Sequence, residues 1–247
     1  MTLVLATGDP LAVAVVAAIR TGDLPTLSRL LADNPGLATA RLGTTDPGGM
    51  SRTLLHVVTD WPGHYPHGPA TVAVLVAAGA EVNARFTGPH TETPLHWAAS
   101  SDDVAVLDAL LDAGADIEAS GAVIGGGTPL ADARAFLQVN AARRLVERGA
   151  RVGLDDAATL GLLDCLRRFL SADPAPQPAD ITRAFWGACH GGQRSAAEVL
   201  LACGADVNWI PDWEPLTPLD VARRTGADQL VAWLLDHGGR SAAELNP

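Results

Sequence analysis

The residues of this chain with chemistry to offer are its seven histidines, its six tryptophans and a scatter of carboxylates, and most of those that stand out fall in a few short segments. In Asp60-Trp61-Pro62-Gly63-His64-Tyr65-Pro66-His67-Gly68-Pro69, the residues Asp60, His64 and His67 are of the types that ligate Zn²⁺. Pro66 denies the two histidines a helical spacing and no fourth ligand is evident, so no metal is expected there. In Arg85-Phe86-Thr87-Gly88-Pro89-His90-Thr91-Glu92, His90 and Glu92 lie two apart, on one side of an extended chain. That is the arrangement of an acid/base or anion-contact pair or, more plainly, of a capping carboxylate beside a solvated turn histidine. His190 follows Trp186 by one helical turn, so the two can share a face and clamp a ligand or supply a base. Together Asp60, His64, His67, His90, Glu92 and His190 are the candidate acids and bases of a cofactor-independent enzyme, a hydrolase, lyase or isomerase acting on a small molecule.

Other chemistries are excluded by composition. All 17 basic residues are Arg, so there is no lysine for a Schiff base, a phosphate loop or a general base. The glycine-rich stretch Ser120-Gly121-Ala122-Val123-Ile124-Gly125-Gly126-Gly127 therefore reads as a tight turn with positive φ rather than as a nucleotide loop. Cys165, Cys189 and Cys203 form no Cys-x-x-Cys pair and have no evident activating base, a usage suited to a reducing cytoplasm. With 28 acidic residues and a net charge of −11, the chain has no broad basic face for nucleic acid or an anionic membrane. No apolar run is long enough for a membrane span, and the N-terminus lacks a basic leader, so neither insertion nor secretion is expected and a cytoplasmic location is. Arg-only, Ala-rich usage points to a high-GC, bacterial genome.

What must position these residues is a repeat. Thr93-Pro94-Leu95-His96-Trp97-Ala98-Ala99 is followed by Leu110-Leu111-Asp112-Ala113-Gly114-Ala115-Asp116, with 21 positions from the Thr to the Gly. Thr128 to Gly149, Thr217 to Gly238 and Arg183 to Gly204 keep the same 21, whereas Thr53 to Gly79 is 26, the excess lying in the segment around His64. Thr is a helix N-cap, Pro fits the first helical position, and Gly after Leu-Leu-x-x accepts a left-handed C-terminal conformation, so each unit is two short antiparallel helices. Such a pair cannot bury both its apolar faces alone, and neighbours must stack.

These motifs resemble the ankyrin repeat. The resemblance implies an all-α repeat fold, an ankyrin-repeat solenoid of about seven helix pairs with short hairpin fingers, running as one domain over 1–247. Its parts would be an N-terminal cap at about 9–36, repeats at about 52–82, 93–117, 128–152, 154–172, 181–207 and 217–239, and a short C-terminal helix at about 241–245. In the family, the fingers and inner helices line a concave surface that binds partners, so the departures from the repeat are where function is expected. The binding candidates are Trp61, Tyr65, Phe86, His90, Glu92, Ile124, Trp186, His190, Trp209, Asp212 and Trp213, with Trp209 and Trp213 as anchors on a protruding loop. The segment Asp60–Pro69 is expected to form a stiff hydrophobic lid over the inner helices. His56 and His96, at the repeat's own histidine position, are expected to be structural. The expected function is the binding of a protein partner of neutral or basic surface on the concave face, with the small-molecule enzyme as the alternative and no cofactor in either.

Overall fold

The structure is a computed structural model and describes residues 3–44, 46 and 48–245. It is mostly helical and falls into two compact units, Met1–Ala150 and Arg151–Pro247, taken here in turn.

The first unit holds four helix pairs: α1 (Pro10–Thr21) with α2 (Leu24–Asp33), α3 (Leu54–Val58) with α4 (Gly68–Ala77), α5 (Pro94–Ser100) with α6 (Val104–Asp112), and α7 (Pro129–Ala135) with α8 (Val139–Glu147). Helix starts follow the sequence chemistry: the Asp9 carboxylate accepts from Leu11 N at 2.8 Å, and Pro10 occupies the first turn, where its missing N–H costs nothing. Helix ends do the same, and Gly114, at φ 93, turns the chain after α6 in a conformation that other residues adopt only under strain. Leu54, Leu55, Leu75, Leu95, Leu107, Leu110, Leu130 and Leu145 are fully buried and form the apolar spine of the unit. Each such side chain contributes about 1.5–3 kcal/mol relative to exposure.

Successive pairs are also joined by side chains. Asn83 donates through Nδ2 to Gly114 O at 3.1 Å and accepts from Asp116 N at 2.8 Å, so its amide reads the backbone of the next pair. On the outer helices, Asp108 of α6 receives Arg144 and Arg148 of α8 at 2.8 and 2.7 Å.

One feature departs from a purely helical reading. Strands β1 (Val4–Leu5), β2 (Arg41–Gly43) and β3 (Ser51–Thr53) form a small sheet in the order β1-β2-β3. β1 runs parallel to β2 with Val4 opposite Arg41, and β3 runs antiparallel with Thr53 opposite Arg41. Strands of two and three residues are too short to show a period of two in sequence. The Arg41 guanidinium ties the sheet to the following finger, donating to Ser51 Oγ at 2.8 Å, Ser51 O at 2.7 Å, Arg85 O at 2.8 Å and Thr87 Oγ1 at 2.9 Å.

The second unit holds α9 (Leu154–Thr159) with α10 (Leu163–Leu170), α11 (Pro178–His190) with α12 (Arg194–Ala202), α13 (Pro218–Arg224) with α14 (Asp228–Asp236), and the terminal α15 (Ala242–Leu245). Leu166, Phe185, Leu200, Leu219, Leu230 and Leu234 fill its core. Helices α9 and α11 approach so closely that a Cβ at Gly191 would lie 2.0 Å from Thr159 O, and one at Gly187 would lie 2.7 Å from Thr159 Oγ1. Asn208 repeats the joint made by Asn83: its Nδ2 donates to Gly238 O at 3.0 Å and its Oδ1 accepts from Arg240 N at 2.7 Å. Among the described residues, no helix of either unit is long and apolar enough to cross a membrane.

Candidate functional site

The histidines of the repeat motif settle into the scaffold. His56 Nδ1 accepts from Thr53 N at 3.3 Å, which leaves Nε2 as the protonated nitrogen, and that atom meets Glu92 O at 3.1 Å. His96 does the same with Thr93 N at 3.1 Å and Gly127 O at 3.3 Å. Each ring thus fastens the start of its own inner helix to the backbone that leads into the next. Burial pushes the His56 pKa down to about 3 and that of His96 down to about 4, so both are neutral and unfit to shuttle protons near neutral pH.

The segment after α3 is engaged residue by residue. Asp60 lies between Arg20 and Arg52, at 2.9 and 2.7 Å. His64 donates its backbone N–H to Asp103 at 2.8 Å, and its Nε2 meets Ser101 O at 2.9 Å. The Tyr65 ring lies under the Arg20 guanidinium, and His67 is exposed at the start of α4. His64 and His67 both take left-handed backbone, φ 57 and 56, which bends the segment toward the α5–α6 turn. Trp61 stands 75% exposed, so this ring does not roof the inner helices; a packed lid would need it turned inward, and the contacts of its neighbours run to the inter-helix turns instead. Among the described residues, no three His, Cys, Asp or Glu side chains come together as a metal-binding group.

The finger between α4 and α5 brings Phe86, His90 and Glu92 to the N-terminal end of α5. The Phe86 ring lies 5.5 Å from Trp97, and Trp97 meets His56 edge-on at 4.9 Å. His90 is exposed, whereas Glu92 is buried. Burial raises the Glu92 pKa, while the Trp97 indole N–H and the charge of His90 draw it down. On α7, the first helix of the next pair, Asp132 is fully buried, and neither of its carboxylate oxygens has a close, aligned hydrogen-bond partner. Desolvation and then the negative charge of Glu92 push the Asp132 pKa up to about 7, while the backbone N–H groups of Val123 and Ile124 pull it down without forming a close, aligned bond. Ile124 itself is 42% exposed on the glycine-rich finger above.

Asp132 lies on a short helix that keeps the repeat's phase, outside the fingers and insertions that depart from it. A signal was present all the same: four residues after the capping Thr, the other repeats carry Val57, Trp97 and Val221, and this one carries a carboxylate.

In the second unit the ring-bearing residues do assemble. Trp186 stacks on His190 at 5.3 Å, meets Trp213 edge-on at 6.0 Å, and Trp213 meets Trp209 edge-on at 5.5 Å. The Trp186 indole N–H donates to Leu216 O at 2.9 Å, fixing the finger that carries the other two tryptophans. Arg224 of α13 reaches His190 Nδ1 at 3.2 Å and pairs with Glu214 on the same finger. Arg224 and Glu214 were not among the residues picked from sequence, since nothing local joins them to the aromatic cluster. Trp186 is buried, Trp209 half-buried and Trp213 52% exposed, with the Asp212 side chain exposed beside it. Cys189, on the buried face of α11, has its thiol pKa raised by burial and is no nucleophile.

Tandem pairs of short helices, turned by Gly and in two cases fastened by a Thr-x-x-His cap, define a class of helical-repeat protein. The sequence model of the ankyrin repeat matches residues 90–122. The chain is also 31% identical over 179 residues to an ankyrin repeat and KH domain-containing protein of Caenorhabditis briggsae, an alignment that covers 69% of this chain and 7% of that protein. It thus spans only a small fraction of that relative's length. The chain belongs to the ankyrin-repeat family.

Proposed function

We propose that the second unit binds a polypeptide partner through the wall formed by Trp186, His190, Trp209, Asp212 and Trp213. The observation that carries this reading is the exposure of Trp213, 52%, within a cluster whose inner members are held from below by the Trp186–Leu216 hydrogen bond. A large ring that is rigid, amphipathic and half in solvent gains apolar contact on binding while losing little rotamer freedom. The exposed Asp212 and the chain's net charge of −11 favour a neutral or basic partner surface.

Peptides selected from a random display library on the wild-type protein, then titrated one by one, test the reading. Trp213→Ala is expected to weaken the selected peptides about 30-fold, the size of a hot-spot truncation. Unchanged affinity in that variant removes Trp213, and with it this wall, from the binding surface.

A further inference from the structure

The tryptophan wall of the second unit is uneven in its hydrogen-bonding groups. The Trp186 indole N–H is spent on Leu216 O at 2.9 Å, whereas among the described residues those of Trp209 and Trp213 meet no acceptor. Trp213 is crossed by Trp186 at 80° and by Trp209 at 68°, so neither of these rings lies parallel on it, and 52% of it is open to solvent. The finger that presents it is held firmly: Pro211 is buried, and Glu214 is paired with Arg224, which also reaches His190 Nδ1 at 3.2 Å. That pairing leaves Asp212, exposed and without an ion pair among the described residues, as the uncompensated charge of the finger.

We infer, resting on the reading of this wall as a polypeptide-binding surface, that the segment it receives is proline-rich, in the polyproline-II conformation, with a basic residue beside it. The rings offer N–H donors and apolar faces, and an indole accepts no hydrogen bond. Proline is the complement: it has a carbonyl, no N–H and a compact apolar ring. A strand would bring N–H groups that the indoles leave unsatisfied, and a helix keeps its carbonyls for itself. Polyproline II has no internal hydrogen bonds and little conformational freedom to lose, so its carbonyls are open to the indole donors while its rings lie on the indole faces. One turn, three residues and about 9 Å long, spans Trp213 and Trp209, whose ring centres are 5.5 Å apart. Asp212 then meets a lysine or arginine next to the prolines.

Calorimetric titration of the full chain with three end-blocked decapeptides tests this: arginine followed by nine prolines, glutamate followed by nine prolines, and arginine followed by alternating alanine and glutamine. The first is expected to saturate with a dissociation constant below about 1 mM, and the third to bind at least tenfold more weakly. Glutamate in place of the arginine is expected to weaken binding about two- to fivefold, the size of an exposed ion pair. Trp213→Ala is expected to weaken the arginine–proline peptide at least tenfold while the urea midpoint of the chain stays unchanged. Trp213→Phe, which keeps a ring face but loses the indole donor, is expected to fall between the two.

Failure of the proline assignment is distinguishable from failure of the wall itself. Display-selected peptides that lose affinity in Trp213→Ala, yet hold no more proline than the unselected library, overturn the proline assignment and leave the wall a polypeptide site. Selected peptides indifferent to that substitution remove both. No saturable binding of the arginine–proline peptide up to about 1 mM, equal binding of the alanine–glutamine peptide, or binding that Trp213→Ala leaves unaltered overturns the assignment as well, and a glutamate peptide that binds as tightly as the arginine one overturns its basic flank.

Discussion

Replacing Asp132 by Asn isolates one buried charge in the first unit. The folded-state pKa lies near 7 against an ordinary value of 3.8, a gap of about three pH units, worth about 4 kcal/mol at about 1.4 kcal/mol per unit. Because the folded pKa is raised, the unfolded chain gives up this proton first. Stability therefore falls as pH rises from about 4 to about 7, with the full cost present above that window and none below it. Asn keeps the shape and removes the charge, but it buries an amide whose partners are imperfect, which costs about 1 kcal/mol. The variant is expected to be about 3 kcal/mol more stable than wild type at pH 8 and about equal to it at pH 4.5, where most of the penalty has gone. Urea denaturation followed by tryptophan fluorescence at both pH values measures the difference directly. A stability difference that is the same at pH 4.5 and pH 8, or a variant that is weaker at pH 8, refutes the electrostatic account of this residue.

Two further outcomes follow from geometry already given. In the Asp132→Asn background, stability is expected to fall by about 4 kcal/mol between pH 7.5 and pH 5. His56 and His96 protonate near 6.5 in the unfolded chain but only near 3 and near 4 when folded, so the unfolded state gains protons first as the solution is acidified; a melting temperature that stays level across that range would show these rings to be less buried than described. Gly191→Ala drives a methyl group into the Thr159 carbonyl, 2.0 Å away, and is expected to cost about 2–3 kcal/mol as α9 and α11 separate, read as a shift in the urea midpoint of the chain; a midpoint equal to that of wild type would mean that the helices have room to spare.

The helix pairs were legible because their punctuation is local chemistry. A cap such as Thr93, a proline such as Pro94 and a glycine such as Gly114 each have one conformational use, and their constant spacing repeats it. The role of His56 and His96 followed from the same motif. The sheet of β1, β2 and β3 was not legible, since two or three residues carry no period and Arg41, which fastens it, is drawn to partners 10 to 46 residues away. The direction of the Asp60–Pro69 segment was equally hidden: its rings suggested burial, but His64 and Asp103 decide where it runs, and that pairing spans 39 residues. The tryptophan wall was half legible. Its members stood out as departures from the repeat, while Arg224 and Glu214 joined them only in three dimensions. Asp132 was missed because a single acidic residue on a short helix looks ordinary until its burial is known.

The asparagine joints give the chain a direction in time as well as in space. Asn83 is made long before its partners: Gly114 and Asp116 follow it by 31 and 33 residues, and for Asn208 the partners Gly238 and Arg240 follow by 30 and 32. During synthesis each amide must wait in water until the next helix pair has emerged and turned, and only then does the earlier repeat acquire its last contacts. A chain interrupted within a repeat therefore loses more than that repeat, because the one before it is left unfinished at its trailing edge. The two ends differ in what they leave behind: removal from the back strands an asparagine side chain, whereas removal from the front strands the backbone carbonyl and N–H that the asparagine would have met.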